Sequence, residues 1–377
     1  MCYERFLEED PGRQSISGSF NPIDEGEWSE SAYIQATAKF FSAISKSDTL
    51  AVTQMIEDGE DLNRRDHVGR TPLHVAIMSN SVGVANVLID AGARMTARLV
   101  GGRTSFHLAA QMGQTSLVKK MLARSAYNEE KVAEDKRKTK EAAATEDLEE
   151  AENVRMSSED DWSSEESDDG KHSRRVPNIT KDEAEKGTDP LEDNPEEPDV
   201  LDISISDWDF GFTALGYAVL SGSLEVVDAL LAAGADPNFA GPTKDASPFH
   251  PLTLTMYIQD EERAAEIAER LVAAGAISST ADDKLFTIFH RIVAAGKTKI
   301  VTSLLARDPN AKKVLDIPAW SGRGLVFPVV SAILAGDYAM LSVLLAHGAR
   351  LVYSPEDVSR AEEKRYVNHY FQPNLDI

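Results

Sequence analysis

Gly69-Arg70-Thr71-Pro72-Leu73-His74-Val75-Ala76, running on to Leu88-Ile89 and Gly92-Ala93, decides the fold because its phase returns along the chain. Thr104-Ser105-Phe106-His107 lies 33 residues after Thr71-Pro72-Leu73-His74. A step back of the same length reaches Ala38. Forward, the equivalent positions are Thr213, Ser247, Thr287 and Phe327, spaced by 34, 40 and 40 residues. Seven units result, and repetition at this period is the mark of a stacked array. Two residues after each start an apolar side chain recurs, as Phe40, Leu73, Phe106, Leu215, Phe249, Phe289 and Val329. Five residues after the start the residue is small in five units, Ala43, Ala76, Ala109, Ala218 and Ala332, whereas Leu252 and Ile292 break the pattern in units five and six.

Later in each unit come apolar pairs, Met55-Ile56, Leu88-Ile89, Met121-Leu122, Leu230-Leu231, Leu304-Leu305 and Leu344-Leu345, with Leu271-Val272 matching after a seven-residue insertion. One turn before them stand further pairs such as Val226-Val227, and the two sets together stripe one helical face. Gly59, Gly92, Gly234 and Gly348 follow at a fixed offset, with Gly275 their counterpart in unit five. A helix end that needs positive φ calls for glycine there. Each unit is therefore expected to be two short antiparallel helices and a turn. One such pair exposes too much apolar surface alone, and stacking neighbours buries it.

These residues resemble the ankyrin-repeat family, whose pattern has G-x-T-P-L-H-x-A-A, then G-x-x-x-V-x-x-L-L, then G-A-D-x-N. The resemblance is strongest over Gly69–Ala93, Gly102–Leu122 and Gly211–Asn238, and the units beginning at Ala38, Ser247, Thr287 and Phe327 are degenerate. It implies an all-α solenoid of stacked helix-turn-helix units. The expected division is a flexible tail over 1–34, units one to three over 35–128, an acidic insertion over 129–207, units four to seven over 208–352, and a capping helix with a tail over 353–377.

The insertion accounts for most of the chain's charge. Of the net −24, residues 129–207 hold 28 acidic against 11 basic residues, leaving the array mildly acidic. No basic run suits a phosphate backbone, so direct nucleic-acid binding is not expected. Glu129 to Arg155, rich in Glu, Lys and Ala, reads as a solvated helix or fluctuating coil. The tract from Ser157 to Asp169 alternates acids with serine and cannot collapse into a core. Ser157, Ser158 and Ser163, each with an acidic residue three positions on, resemble substrates of acidophilic kinases. The apolar exit at Val200–Ile205 is expected to pack back on the array. Lys171-His172-Ser173-Arg174-Arg175 is too short a basic island to argue nuclear import.

Catalysis and metal binding find no support in the motifs. There is no Walker loop, no Gly-x-Gly-x-x-Gly after a strand, no His-Glu-x-x-His and no Gly-x-Ser-x-Gly, and neither cofactor nor metal is expected. His74, His107, His250 and His290 share one offset, but successive copies lie about one repeat apart, too far to share an ion at the ~2.0 to 2.1 Å of a zinc ligand. The family resemblance implies instead that each ring bonds its own unit's threonine, such as Thr71, Thr104 or Thr287, and a backbone carbonyl. No stretch is long and apolar enough to span a membrane. The start at Met1 lacks the pattern of a secretory signal, and Cys2 is the single cysteine, so cytosol or nucleus is the expected compartment.

What the repeats leave exposed is then the functional surface. Arg70 and Arg103 precede their helices, Met78 and Met112 follow the first-helix core positions, and Trp208, Phe210 and Phe212 cluster before unit four. Aromatic and Arg anchors often dominate binding energy, although Phe210 and Phe212 equally suit local packing and Arg70 a bracing role. The reading is a protein-binding scaffold with a partner on the concave face and an acidic loop that tunes access or attracts a basic segment. The alternative is the targeting array of a larger enzyme assembly such as a ubiquitin ligase.

Overall fold

The computed structural model of the chain describes residues 30–156, 198–241, 249–282, 286–320 and 325–351. The expected phosphorylation sites Ser157, Ser158 and Ser163, and the C-terminal capping helix, lie outside these residues. Two helices form each unit. In unit one they are α1 (Glu30–Ser45) and α2 (Thr49–Glu57), in unit two α3 (Pro72–Met78) and α4 (Val82–Ala91), and in unit three α5 (Ser105–Gln111) and α6 (Thr115–Met156). After the insertion come α7 (Ala214–Ser221) with α8 (Leu224–Ala232), α9 (Pro251–Leu254) with α10 (Glu261–Ala273), and α11 (Ile288–Ala294) with α12 (Thr298–Arg307). The short α13 (Ala311–Val314) precedes α14 (Pro328–Ala335) and α15 (Tyr338–Ala346) of unit seven. The described residues are all-α but for one two-stranded ribbon, β1 (Ala319–Trp320) antiparallel to β2 (Leu325–Val326), with Ala319 opposite Val326, and two isolated bridges.

The chain divides into two units of structure, one made of residues up to Leu122 together with those from Leu201 on, the other of Ala123–Val200. The repeats belong to the first. In the second, Arg124 lies over the Tyr127 ring at 5.5 Å and Asn128 donates to the Asp199 carbonyl at 2.8 Å.

The recurring apolar positions form one continuous core from Phe40 to Ala349, and Leu88, Leu230 and Leu344 have no exposed surface. Burying each such leucine contributes about 1.5–3 kcal/mol. The second helices end where glycine permits it. Gly92 caps α4 at φ +96° while the Ala93 N–H returns to the Leu88 carbonyl at 2.8 Å, and Gly59, Gly234, Gly275 and Gly348 repeat the device. Leu252 and Ile292, the two large residues at the small-residue position, are both buried. In unit five the first helix shrinks to α9 and a 3₁₀ turn, Thr255–Tyr257, while the inserted residues lengthen α10.

Three boundaries differ from expectation. Helix α1 begins at Glu30, inside the stretch expected as tail, because unit one lacks the Gly-x-Thr turn that starts the first helix in its better-matched neighbours. Helix α6 continues to Met156 without the glycine stop of units one, two, four, five and seven, so of the two readings of Glu129–Arg155 the helix is the one observed, and it is continuous with unit three. The insertion ends before 207: Leu201 and Ile203 pack on the core and Asp207 is buried, because the hairpin of unit four needs these residues.

Candidate protein-binding surface

Hairpins between units carry the threonine–histidine pairs. Thr71 caps α3, its hydroxyl meeting His74 Nδ1 at 2.7 Å while its own N–H donates to the same nitrogen at 3.2 Å. Thr104 with His107 (2.9 Å) and Thr287 with His290 (2.7 Å) repeat the hydroxyl contact. The ring thus fills the place that Glu takes in a capping box. With Nδ1 accepting, Nε2 carries the proton, and it donates onward to the next unit. His107 reaches the Ile205 carbonyl at 3.1 Å and His290 the Ile317 carbonyl at 2.8 Å. For His74 the Nε2 is buried without a hydrogen-bond partner in range. His250 departs from its expected role. It sits at the N-cap of α9 rather than inside the first turn, and its Nδ1 bonds the Asn238 carbonyl at 2.8 Å.

Burial, the largest influence, lowers these three histidines, His74 to about 3 and His107 and His290 to about 4. An unfolded chain takes up their protons near pH 6.5, whereas the folded chain resists until pH approaches 4. The folded pKa values are depressed, so this stabilisation is complete above pH 6.5 and is lost as pH falls toward 4. Each ring contributes a slope of up to about 1.4 kcal/mol per pH unit inside that window. Thermal unfolding followed from pH 7.5 to 4.5 is expected to show a falling midpoint, less steep in His107→Gln. Equal slopes in the two proteins would remove the histidine from the account.

Between units three and four the hairpin tips make an aromatic and acidic cluster. The Asp207 carboxylate accepts from the N–H of Phe212 (2.6 Å) and Phe210 (3.3 Å) and from the Tyr217 hydroxyl (2.9 Å). Burial, then the bond to Asp207, holds the Tyr217 phenol far above its ordinary value. Phe212 stacks on Phe210 at 5.5 Å and meets Tyr217 and Phe249 edge-on, so it is a packing residue rather than an exposed anchor. Trp208 closes over Gly102, where an added Cβ would stand 2.5 Å from the indole, and the Arg98 guanidinium lies 5.2 Å from the ring.

The remaining expected residues divide by role. Arg70 binds Asp66 through Nε and Nη2, both at 2.7 Å, and so braces its own hairpin. Met78 and Met112 are 46% and 48% exposed, Phe210 56% and Trp208 41%. Leu220, at the position of Met78 in unit four, joins them at 36% exposed. Met78, Met112 and Leu220 thus stand at the C-terminal ends of three successive first helices, and Trp208 and Phe210 at the hairpin tip that leads into α7. Two residues escaped the sequence reading, Asp207 and Leu220. Asp207 is visible in register, since it precedes Gly211-Phe212-Thr213 as Asp66 precedes Gly69-Arg70-Thr71, with one residue more in the tip.

Elsewhere, His250, Thr253, Thr280, Asp282, Phe286 and Arg291 line a cavity of about 30 Å³, room for a water but not for a substrate of ordinary size. Among the described residues no helix is long and apolar enough to cross a membrane, and no three His, Cys, Asp or Glu side chains are grouped as metal ligands.

Family models match two stretches of the chain. The model of three ankyrin repeats matches residues 40–135, and that of a single ankyrin repeat matches 210–241. Relatives include the 2-5A-dependent ribonuclease of Mus musculus, 33% identical over 82 residues, which are 22% of this chain and 11% of that protein. A putative ankyrin repeat protein of Rickettsia bellii is 34% identical over 76 residues, 19% of this chain and 11% of the other. The chain spans about a tenth of the length of these curated relatives. Among solved structures, the ankyrin repeat domain of Bcl-3 is 17% identical with a TM-score of 0.48, covering 81% of this chain and 97% of that one. Ankyrin repeats generally mediate protein–protein interaction. With its helix pairs, glycine stops and threonine–histidine caps in the matched phase, the chain is an ankyrin-repeat protein.

Proposed function

We infer that the chain is a non-catalytic scaffold whose concave side, the first helices and hairpin tips, holds a partner protein. The observation that carries this is the row of exposed apolar side chains at the ends of successive first helices, Met78, Met112 and Leu220, flanked by Trp208 and Phe210. The core positions of the same helices are fully buried, so nothing in the fold itself requires apolar residues at these exposed ends. The acidic insertion supplies a second arm, drawing basic segments by charge.

Met78→Glu with Met112→Glu and Leu220→Glu tests the first arm. The triple variant is expected to keep its helical circular dichroism and to lose most partners found by proximity labelling in the native cell. An unchanged set of labelled proteins would defeat the reading. Removing residues 157–197 is expected to weaken only the complexes that dissolve as salt rises.

A further inference from the structure

Charge is segregated between the two helical layers. Apart from Glu30 at the start of α1, the first helices α1, α3, α5, α7, α9, α11 and α14 contain no Asp or Glu. The second helices carry Glu57, Asp90, Glu225, Asp228 and, in α10, Glu261, Glu262, Glu266 and Glu269. Cations reach across to several of these acids, Lys120 to Asp90 at 2.7 Å and Lys299 to Glu262 at 2.6 Å. Burial does not account for the acid-free layer, since Met78, Met112 and Leu220 stand at exposed positions that would hold a carboxylate without desolvation. With 63 acidic residues in the chain, composition does not account for it either.

Beside that row sits a cation with unmet demand. Arg70 is neutralised by Asp66. Arg103, its counterpart one unit on, pairs with no carboxylate among the described residues. Its Nη1 reaches Gln111 Oε1 at only 3.4 Å and its Nε is buried without an acceptor. A guanidinium offers five donors in a planar fork that a carboxylate fits with two parallel bonds.

We propose that the inner face of units two to four, at Met78, Arg103, Met112 and Leu220, receives an acidic, apolar peptide segment of a partner protein. A carboxylate of the segment takes Arg103, and its apolar side chains lie on the row of Met and Leu. The assignment rests on the reading of the concave side as the binding surface and adds the sign of the ligand. A basic segment would find no carboxylate on these helices and would meet Arg103, while of the acids at the neighbouring tips Asp66 is taken by Arg70 and Asp207 by the Tyr217 hydroxyl, leaving Asp209 exposed. Nucleic acid needs several phosphate contacts, and beside Arg103 the neighbouring Arg98 is held by the Gly102 and Ser206 carbonyls and the Trp208 ring. Repulsion from any acid more than about 8 Å from the row is screened at physiological salt.

The test is selection from a phage library of random sixteen-residue peptides on the full chain, followed by fluorescence anisotropy of the labelled winners. Enriched peptides are expected to combine Asp or Glu with Leu, Ile or Phe and to lose at least tenfold in affinity with Arg103→Glu. Lys312→Glu, in α13 and outside the row, is expected to leave affinity unchanged, and a peptide with its acids changed to Lys is expected to regain binding to Arg103→Glu. Basic or neutral winners that still depend on Met78 and Leu220 would overturn the acidic assignment while leaving the concave surface standing. Winners indifferent to all these positions, or no winners, would overturn both. Binding of a twenty-nucleotide single-stranded DNA that Arg103→Glu abolishes would overturn it in favour of nucleic acid. Binding that appears only after residues 157–197 are removed would overturn it in favour of an intramolecular occupant.

Discussion

Phe289→Ala is expected to destabilise the array by about 3–5 kcal/mol. The ring has no exposed surface and fills the inter-helix space of unit six, where Ile292 stands in place of the usual alanine and Ile288 and Val293 are also buried. Large side chains on both sides leave little freedom for the site to collapse, so most of the cavity persists and its cost with it. Stability in a repeat array is a sum of unit and interface terms, so the loss is expected to be local. Hydrogen exchange should show α11 and α12 opening sooner while α3 and α4 keep their protection. An unfolding free energy from urea titration lowered by less than about 1 kcal/mol, or uniform loss of protection along the chain, would contradict this packing account.

Asp207→Ala is expected to cost about 2–5 kcal/mol, each buried group left unpaired contributing about 1–3. The Tyr217 hydroxyl and the N–H groups of Phe212 and Phe210 all donate to this one carboxylate. Asp207→Asn keeps one oxygen and is expected to lose about half as much. Because Trp208 is the next residue and its N–H donates to the Gly101 carbonyl at 3.0 Å, its fluorescence should redden in Asp207→Ala as the tip loosens. Unchanged emission together with an unchanged melting temperature would show that the carboxylate does not organise the joint. Tyr217→Phe, which removes one of the three donors, separates that bond from the other two.

Much of the fold was legible in the residues because the demands of stacking repeat. Leu73, Phe106, Leu215 and Phe289 each fill the same hole, and Gly92 with Gly234 ends the same helix, so one physical constraint was sampled in several places. The role the family resemblance implies for the histidines, a bond to the unit's own threonine and another to a backbone carbonyl, is met in full by His107 and His290, by His74 only for the threonine, and not by His250, because α9 starts later than its unit's phase implies. Asp207 was hidden by composition: among so many acids, one buried carboxylate looks like its solvated neighbours until the Gly-x-Thr after it is aligned with that of unit two. Leu220 was missed because exposure at the end of a helix depends on how the neighbouring unit is rotated, and apolar periodicity does not report that. For Phe212 both readings, anchor and local packing, were open from the sequence, and its contacts with Tyr217 and Phe249 are those of the second.

The bond from His107 to Ile205 joins residues 98 apart in sequence, and Arg98 and Trp208 add contacts across the same joint. Docking at that seam is carried by complementary surfaces more than by an unbroken backbone. A chain severed within 157–197 would therefore have the means to reassemble from its two fragments, and the seam is a natural place for cargo to be spliced in while the repeats on either side keep their register.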